Sequence, residues 1–269
     1  MKGLFWNCIL GVFLLVLVSA VSLHMGQLAE ETGAIPGPGN LLQEIRSFFS
    51  DRGDGAFLRK GDRRDGEKAL VVLDAGHGGV DPGKVGIDGQ LEKEINLSIV
   101  KKLQFYLEQN DVEVILTRKG DGGLYAPSDR NKKSADMKKR VEIINKAAPD
   151  VMVSIHQNSY HQPEIFGAQV FYFQKSEEGK RFAQIVQARF DYCLGEENRR
   201  QAKANGSYYL LSHAKPVSII VEAGFLSNKK EAARLETEEY QDKVAWTVAM
   251  GILEYLGTET DPRQGTEAR

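Results

Sequence analysis

The stretch Leu70-Val71-Val72-Leu73-Asp74-Ala75-Gly76-His77-Gly78-Gly79 decides how the rest of the chain is read. Its four leading apolar residues are too few for a helix. They run straight into a histidine set among three glycines, the pattern of a buried strand ending in a tight, exposed loop. Open α/β sheets carry their chemistry at such strand ends. Glycine on either side of His77 lets the backbone turn sharply and leaves the imidazole unshielded, so it can meet a ligand at the strand's carboxyl end.

Outward from this stretch, strand and helix patterns alternate. A helix over 92–110 places Ile95, Ile99, Leu103 and Tyr106 on one face, and a β-branched strand follows over 112–117. The Gly-rich, polar segment 119–135 is long enough to be a functional lip or a mobile insertion. A helix over 136–148, closed by Pro149, leads to Val151-Met152-Val153-Ser154-Ile155-His156, a second buried strand ending in histidine. A strand over 168–173, a helix over 177–192 and a strand over 217–222 that ends in Glu222 come next. Helices over 229–236 and 239–256 complete the series. This order predicts a single α/β domain over 69–257, with a mostly parallel twisted sheet of about five or six strands covered by helices on both faces.

Composition narrows the function. A net charge of -2 argues against a nucleic-acid binder that works by neutralising phosphates. The two cysteines, Cys8 in a segment outside the predicted domain and Cys193 within it, exclude a disulfide framework and a thiolate metal site. Any metal must therefore be held by histidine and carboxylate. Before the domain, the run from Gly3 to Leu23 is apolar over about 20 residues, so 1–25 reads as a signal peptide or an N-terminal membrane anchor. Either predicts export, with membrane attachment if the segment is uncleaved; Val18-Ser19-Ala20 would suit a signal peptidase. Residues 26–68, rich in Gly, Pro and charge, read as a flexible linker, and 258–269 as a disordered tail.

Three separate strands end in His77, His156 and Glu222, so the predicted fold brings all three to one edge of the sheet. Glu92 follows a turn at Asp88-Gly89 and opens the first helix, close enough in sequence to fold back over His77. Two imidazoles and one carboxylate make a tetrahedral zinc site with a position open for water, leaving Glu222 to act on that water. Each residue also has a plainer reading. Glu92 could serve only the helix dipole, and Glu94 is an alternative ligand. Glu222 could sit in a structural ion pair with Lys215 or Arg118, since a buried carboxylate is costly without a cation or a task. His161 and His213 lack the strand-end placement and read as surface histidines.

Asp74-Ala75-Gly76-His77-Gly78-Gly79, Glu92-Lys93 with Asn96-Leu97, Leu116-Thr117-Arg118, Ser154-Ile155-His156-Gln157-Asn158 and Glu222-Ala223-Gly224-Phe225-Leu226-Ser227-Asn228 together resemble the zinc-dependent N-acetylmuramoyl-L-alanine amidases. The resemblance spans about 70–256 and departs from the family at Ala75, where proline is usual. It implies a peptidoglycan hydrolase that cuts the amide between muramic acid and the first L-alanine of the stem peptide. It also implies Zn2+ on His77, Glu92 (rather than Glu94) and His156, with Glu222 as the catalytic carboxylate. The apolar start and the segment 125–145 look most like the sporulation and germination-specific subgroup, whose members prepare muramic-δ-lactam in the spore cortex and can depend on a partner protein. Action at the outer face of the cytoplasmic membrane, in the wall or between the forespore membranes is then expected. Another zinc peptidase acting on the stem peptide, or a wall-binding relative without activity, is the alternative. Asn158 and Arg118 could orient ligands or substrate, or simply pack.

Overall fold

The computed structural model describes residues 68–194 and 198–258. The leader or anchor over 1–25, the linker up to residue 67 and the tail from residue 259 lie outside the described residues. In chain order the elements are β1 (Leu70–Ala75), α1 (Glu92–Glu108), β2 (Glu113–Leu116), α2 (Lys132–Ala147), β3 (Val151–Asn158), β4 (Gln169–Phe173), α3 (Glu177–Leu194), β5 (Lys203–Asn205), α4 (Tyr209–His213), β6 (Val217–Phe225), α5 (Lys229–Leu235) and α6 (Glu238–Thr258).

The strands form one six-stranded sheet in the order β2-β1-β3-β6-β4-β5. β2, β1, β3 and β6 are parallel, whereas β4 runs antiparallel to β6 and β5 parallel to β4. From β1 the chain steps outward to β2 and then crosses to β3 on the other side of β1. Strand order therefore reverses between β1 and β3, which opens a crevice at their carboxyl ends. Right-handed crossovers put α1 and α2 on opposite faces. α6 packs against α1 and α3, while α2 packs against α4, and Ile144 and Leu210 from that second pair meet Val72 and Met152 of the sheet.

The sheet is thus the mostly parallel, two-faced one expected, with local differences that have physical causes. The strand over 168–173 points the opposite way, because an apolar pattern shows that a strand forms and not its direction. α2 starts at Lys132 rather than Asp136, because the Asn131 side chain accepts the backbone N–H of Ser134 and caps it. It ends where Ala148 adopts the left-handed conformation at φ 46° before Pro149. β5 and α4, three and five residues long, are too short to show a periodicity.

Period-two alternation puts Asp74 and Ser154 on the same face as Val72 and Met152, beneath α2. There Arg140, fully buried, donates from Nη1 to Asp74 Oδ1 at 2.6 Å and from Nε to Asp136 Oδ2 at 2.5 Å. Its remaining donors reach the carbonyls of Ala75 at 2.7 Å and His77 at 2.5 Å. Asp74 also accepts from Thr117 and Ser154, both at 2.6 Å. One ion pair thereby ties together β1, β3, α2 and the segment following β2.

Truncating one partner of such a pair strands the other charge in the core, so Arg140→Met is expected to lower unfolding free energy in urea by about 3–5 kcal/mol. Burial pushes the Asp74 carboxyl up, but Arg140, Ser154 and Thr117 outweigh it and hold it at about 2. The stability this lowering contributes is complete above the ordinary value of 3.8 and is lost as pH falls through about 2. Urea titrations between pH 5 and 2 should show that acid limb in the native protein and a flatter one in Asp74→Asn.

Candidate metal centre and catalytic cleft

The site is assembled from the loop after β1, the first turn of α1 and the carboxyl ends of β3 and β6. His77 sits at φ 64°, a left-handed conformation rare for a residue with a Cβ, and is followed by Gly78 at φ 136° and Gly79 at φ 58°. Arg140, through the His77 carbonyl, fixes that bend. The Nδ1 of His77 lies 3.0 Å from Asp81 Oδ2, which orients the ring and leaves Nε2 as the nitrogen that faces Glu92 or would bind a metal ion. Asp81 is in turn held by the backbone N–H of Gly83 at 3.1 Å.

Glu92 is placed by backbone bookkeeping at the start of α1. That helix has no side-chain cap; instead the N–H groups of Glu92 and Lys93 donate to the carbonyls of Lys84 and Pro82, both at 3.1 Å. The Glu92 carboxylate is buried, accepting from Lys84 N–H at Oε2 (2.7 Å) and from Gln157 N–H at Oε1 (3.0 Å). Oε1 also lies 3.2 Å from His77 Nε2 and 3.1 Å from His156 Nδ1. A side chain at Gly83, which has φ 70°, would run into Glu92 Oε2 and His77. Glu94, two residues on, is exposed.

His156 and Glu222 are directly paired neighbours on β3 and β6, just before the register shifts between His156 and Asn158. The two histidine rings stand edge to face with centroids 5.0 Å apart, and the His156 ring lies so close over Gly76 that no Cβ fits there. One donor atom each from His77, Glu92 and His156 lies within 4.8 Å of the others. Two imidazoles and a carboxylate, each oriented by a further hydrogen bond or close packing, are a donor set that fits a metal ion with one position left open.

Electrostatics separates Glu92 from Glu222. Burial raises Glu92, but the hydrogen bonds and charges of His156 and His77 override it and hold the carboxyl well below its usual range. Burial alone lowers His77, yet the hydrogen bond and charge of Glu92, with Asp81 behind them, raise it. Glu222 is pushed above the usual carboxylate range, by burial first, with the charge of His156 opposing and that of Glu92 assisting. Its partner is neither Lys215, which is exposed, nor Arg118, but Tyr208, whose hydroxyl donates to Glu222 Oε1 at 3.2 Å. Among the described residues nothing hydrogen-bonds to the buried Oε2. Glu222, Tyr208, His77 and His156 share the lining of one cleft of about 100 Å³.

The remaining candidates fall outside this chemistry. Arg118 spends its donors on the carbonyls of Ala75, Gly76, Lys93 and Gly120, and Asn158 bonds the backbone of Ser159 and Leu226. His161 and His213 are exposed, the first tilted against Tyr160 and the second stacked on Tyr209. The segment 119–131 packs against the His77 loop: Asp121 O accepts from Gly79 N–H at 2.5 Å and Tyr125 OH from Val80 N–H at 2.8 Å. Asp81 and Tyr208 escape sequence reasoning. An acid four residues after His77 was the available signal for the first, and the second has none.

The chain matches the N-acetylmuramoyl-L-alanine amidase family over residues 71–254, and belongs to it. The germination-specific N-acetylmuramoyl-L-alanine amidase of Bacillus subtilis is 35% identical over 196 residues, covering 72% of this chain and 82% of that protein. Among solved structures, the CwlD amidase of Clostridioides difficile, determined in complex with the GerS lipoprotein, is 37% identical with a TM-score of 0.69 over 71% of this chain and 100% of that one. The catalytic domain of CwlV, an N-acetylmuramoyl-L-alanine amidase from Bacillus (Paenibacillus) polymyxa var. colistinus, is 33% identical with a TM-score of 0.62 over 70% and 98%.

Two substitutions test the ligand geometry without touching a donor atom. Asp81→Ala should weaken Zn2+ binding by about 10- to 100-fold in calorimetric titration of the metal-free protein. Gly76→Ala, which carries no positive-φ penalty, should fold but bind Zn2+ more weakly because its methyl displaces the His156 ring.

Proposed function

We propose that this protein is a zinc-dependent peptidoglycan amidase in which His77, Glu92 and His156 hold the ion and Glu222 moves the proton. The observation that carries the reading is geometric: donor atoms of His77, Glu92 and His156 lie within 4.8 Å of one another, and Glu222, the strand neighbour of His156, lines the adjoining cleft and has an oxygen with no hydrogen-bond partner among the described residues. Bound at the three ligands, zinc supplies a Lewis acid that polarises the scissile carbonyl and acidifies the attacking water. Glu222 takes the proton from that water as its oxygen bonds to the lactyl carbonyl carbon. It then delivers the proton to the L-alanine nitrogen as the C–N bond breaks, leaving an amine on the peptide and on the glycan a carboxylic acid, which gives up its remaining proton to solvent.

The substrate is exported glycan carrying stem peptides, and the setting is the spore cortex, where stripped muramic acid is needed for muramic-δ-lactam. The germination-specific role of the Bacillus subtilis relative supports that setting. The Clostridioides difficile amidase was solved with a lipoprotein, which supports an activating partner here as well. No helix among the described residues is long and apolar enough to cross a membrane, and residues 1–25, if retained, would supply the attachment.

Glu222→Gln is expected to bind Zn2+ as the native protein does and to lose at least about 100-fold in turnover on purified peptidoglycan. Mass spectrometry of the digest should find peptide-free glycan and intact stem peptides. Cleavage within the stem would instead identify a peptidase, and no cleavage of vegetative or cortex peptidoglycan a wall-binding protein.

A further inference from the structure

Tyr208 is built into position more thoroughly than an aromatic packing residue requires. Asn205 Oδ1 accepts the backbone N–H groups of Ser207 and Tyr208, an Asx turn that sets the segment entering α4. The ring meets Phe171 edge to face at 5.5 Å and 88°, and packs on the cluster of Phe171, Leu211 and Ile220. From that fixed base the hydroxyl reaches Glu222 Oε1 at 3.2 Å, while Oε2 has no partner among the described residues.

The last torsion of a glutamate is broad, so an unanchored carboxylate swings and offers either oxygen. A base that must collect a proton and hand it on needs one lone pair kept in one direction. We propose that Tyr208 is a positioning residue: its hydroxyl engages Oε1 so that Oε2 is the oxygen of Glu222 that accepts and returns the proton. The inference rests on the amidase reading above. Tyr208 keeps its own proton throughout, since burial and then the charge of Glu222 hold the phenol above its usual range. The bonds made and broken are those already given for the reaction. What Tyr208 adds is the choice of oxygen.

The test compares Tyr208→Phe, Glu222→Gln and the double variant, each loaded with zinc, on soluble glycan strands bearing stem peptides. Tyr208→Phe keeps the ring and should lower kcat by about 10- to 100-fold, the span of one hydrogen bond to a charged group. KM and Zn2+ affinity should be unchanged, while the thermal midpoint should fall by a few degrees because a buried carboxylate loses its donor. In the Glu222→Gln background the same change should cost nothing further, because the positioned proton acceptor is already gone. Independently of turnover, the protein labelled with 3-fluorotyrosine should show one fluorine resonance, absent from Tyr208→Phe, that shifts in Glu222→Gln even without metal. An unchanged kcat, a rise in KM alone, an undiminished loss in the double variant or an unmoved resonance would overturn the proposal. Should the native protein release no peptide-free glycan, the amidase reading fails, and the fluorine shift still decides the contact between Tyr208 and Glu222.

Discussion

The structure depends on one buried charge pair, Arg140 with Asp74. An arginine in a core is tolerable only when its planar fork is fully engaged, and here each direction of the guanidinium meets an oxygen: Asp74, Asp136 and the carbonyls of Ala75 and His77. The last of these matters most for chemistry. His77 occupies a backbone conformation that side chains resist, and the arginine secures it from below. Stability and site geometry are therefore carried by the same side chain, which links a helix on one face of the sheet to the imidazole at its edge.

Much of this was readable in the residues, for physical reasons that also mark where reading stops. β1 and β3 each run apolar into a histidine, and a parallel sheet must bring such ends to a common edge, so His77 and His156 were legible together. Glu92 was legible as an acid near the helix start but not separable from Glu94 by spacing. What separates them is the pair of loop carbonyls, from Pro82 and Lys84, that take the first N–H groups of α1 and fix its entry angle. Glu222 was legible from its buried strand, its partner Tyr208 was not, because that hydroxyl arrives through a segment with no periodic pattern. The reversal of β4 was hidden likewise, since direction is set by the connection and not by the strand's own residues.

Glu92 and Glu222 show how environment sets the electrostatics of identical side chains. Glu92 is surrounded by donors, two imidazoles and two backbone N–H groups, and is fixed as an anion. Glu222 has a single phenol and is otherwise buried, so its charged state is held less firmly. The two side chains differ here by the number of donors around them, not by their own chemistry.

The reversed direction of β4 has a consequence for how the cleft can change over time. Because β4 runs back from the edge at which β3 ends, the connection between them stays on that rim, pinned at its ends where Tyr160 N–H donates to Ser227 and Gly167 N–H to Glu231. Between those ends the carbonyls of Pro163 and Phe166 accept from Asn228 and Arg200, while the Phe166 side chain lies open to solvent. None of His77, Glu92, His156 or Glu222 lies in this span, so its length and sequence can drift while the candidate metal cluster stays in place.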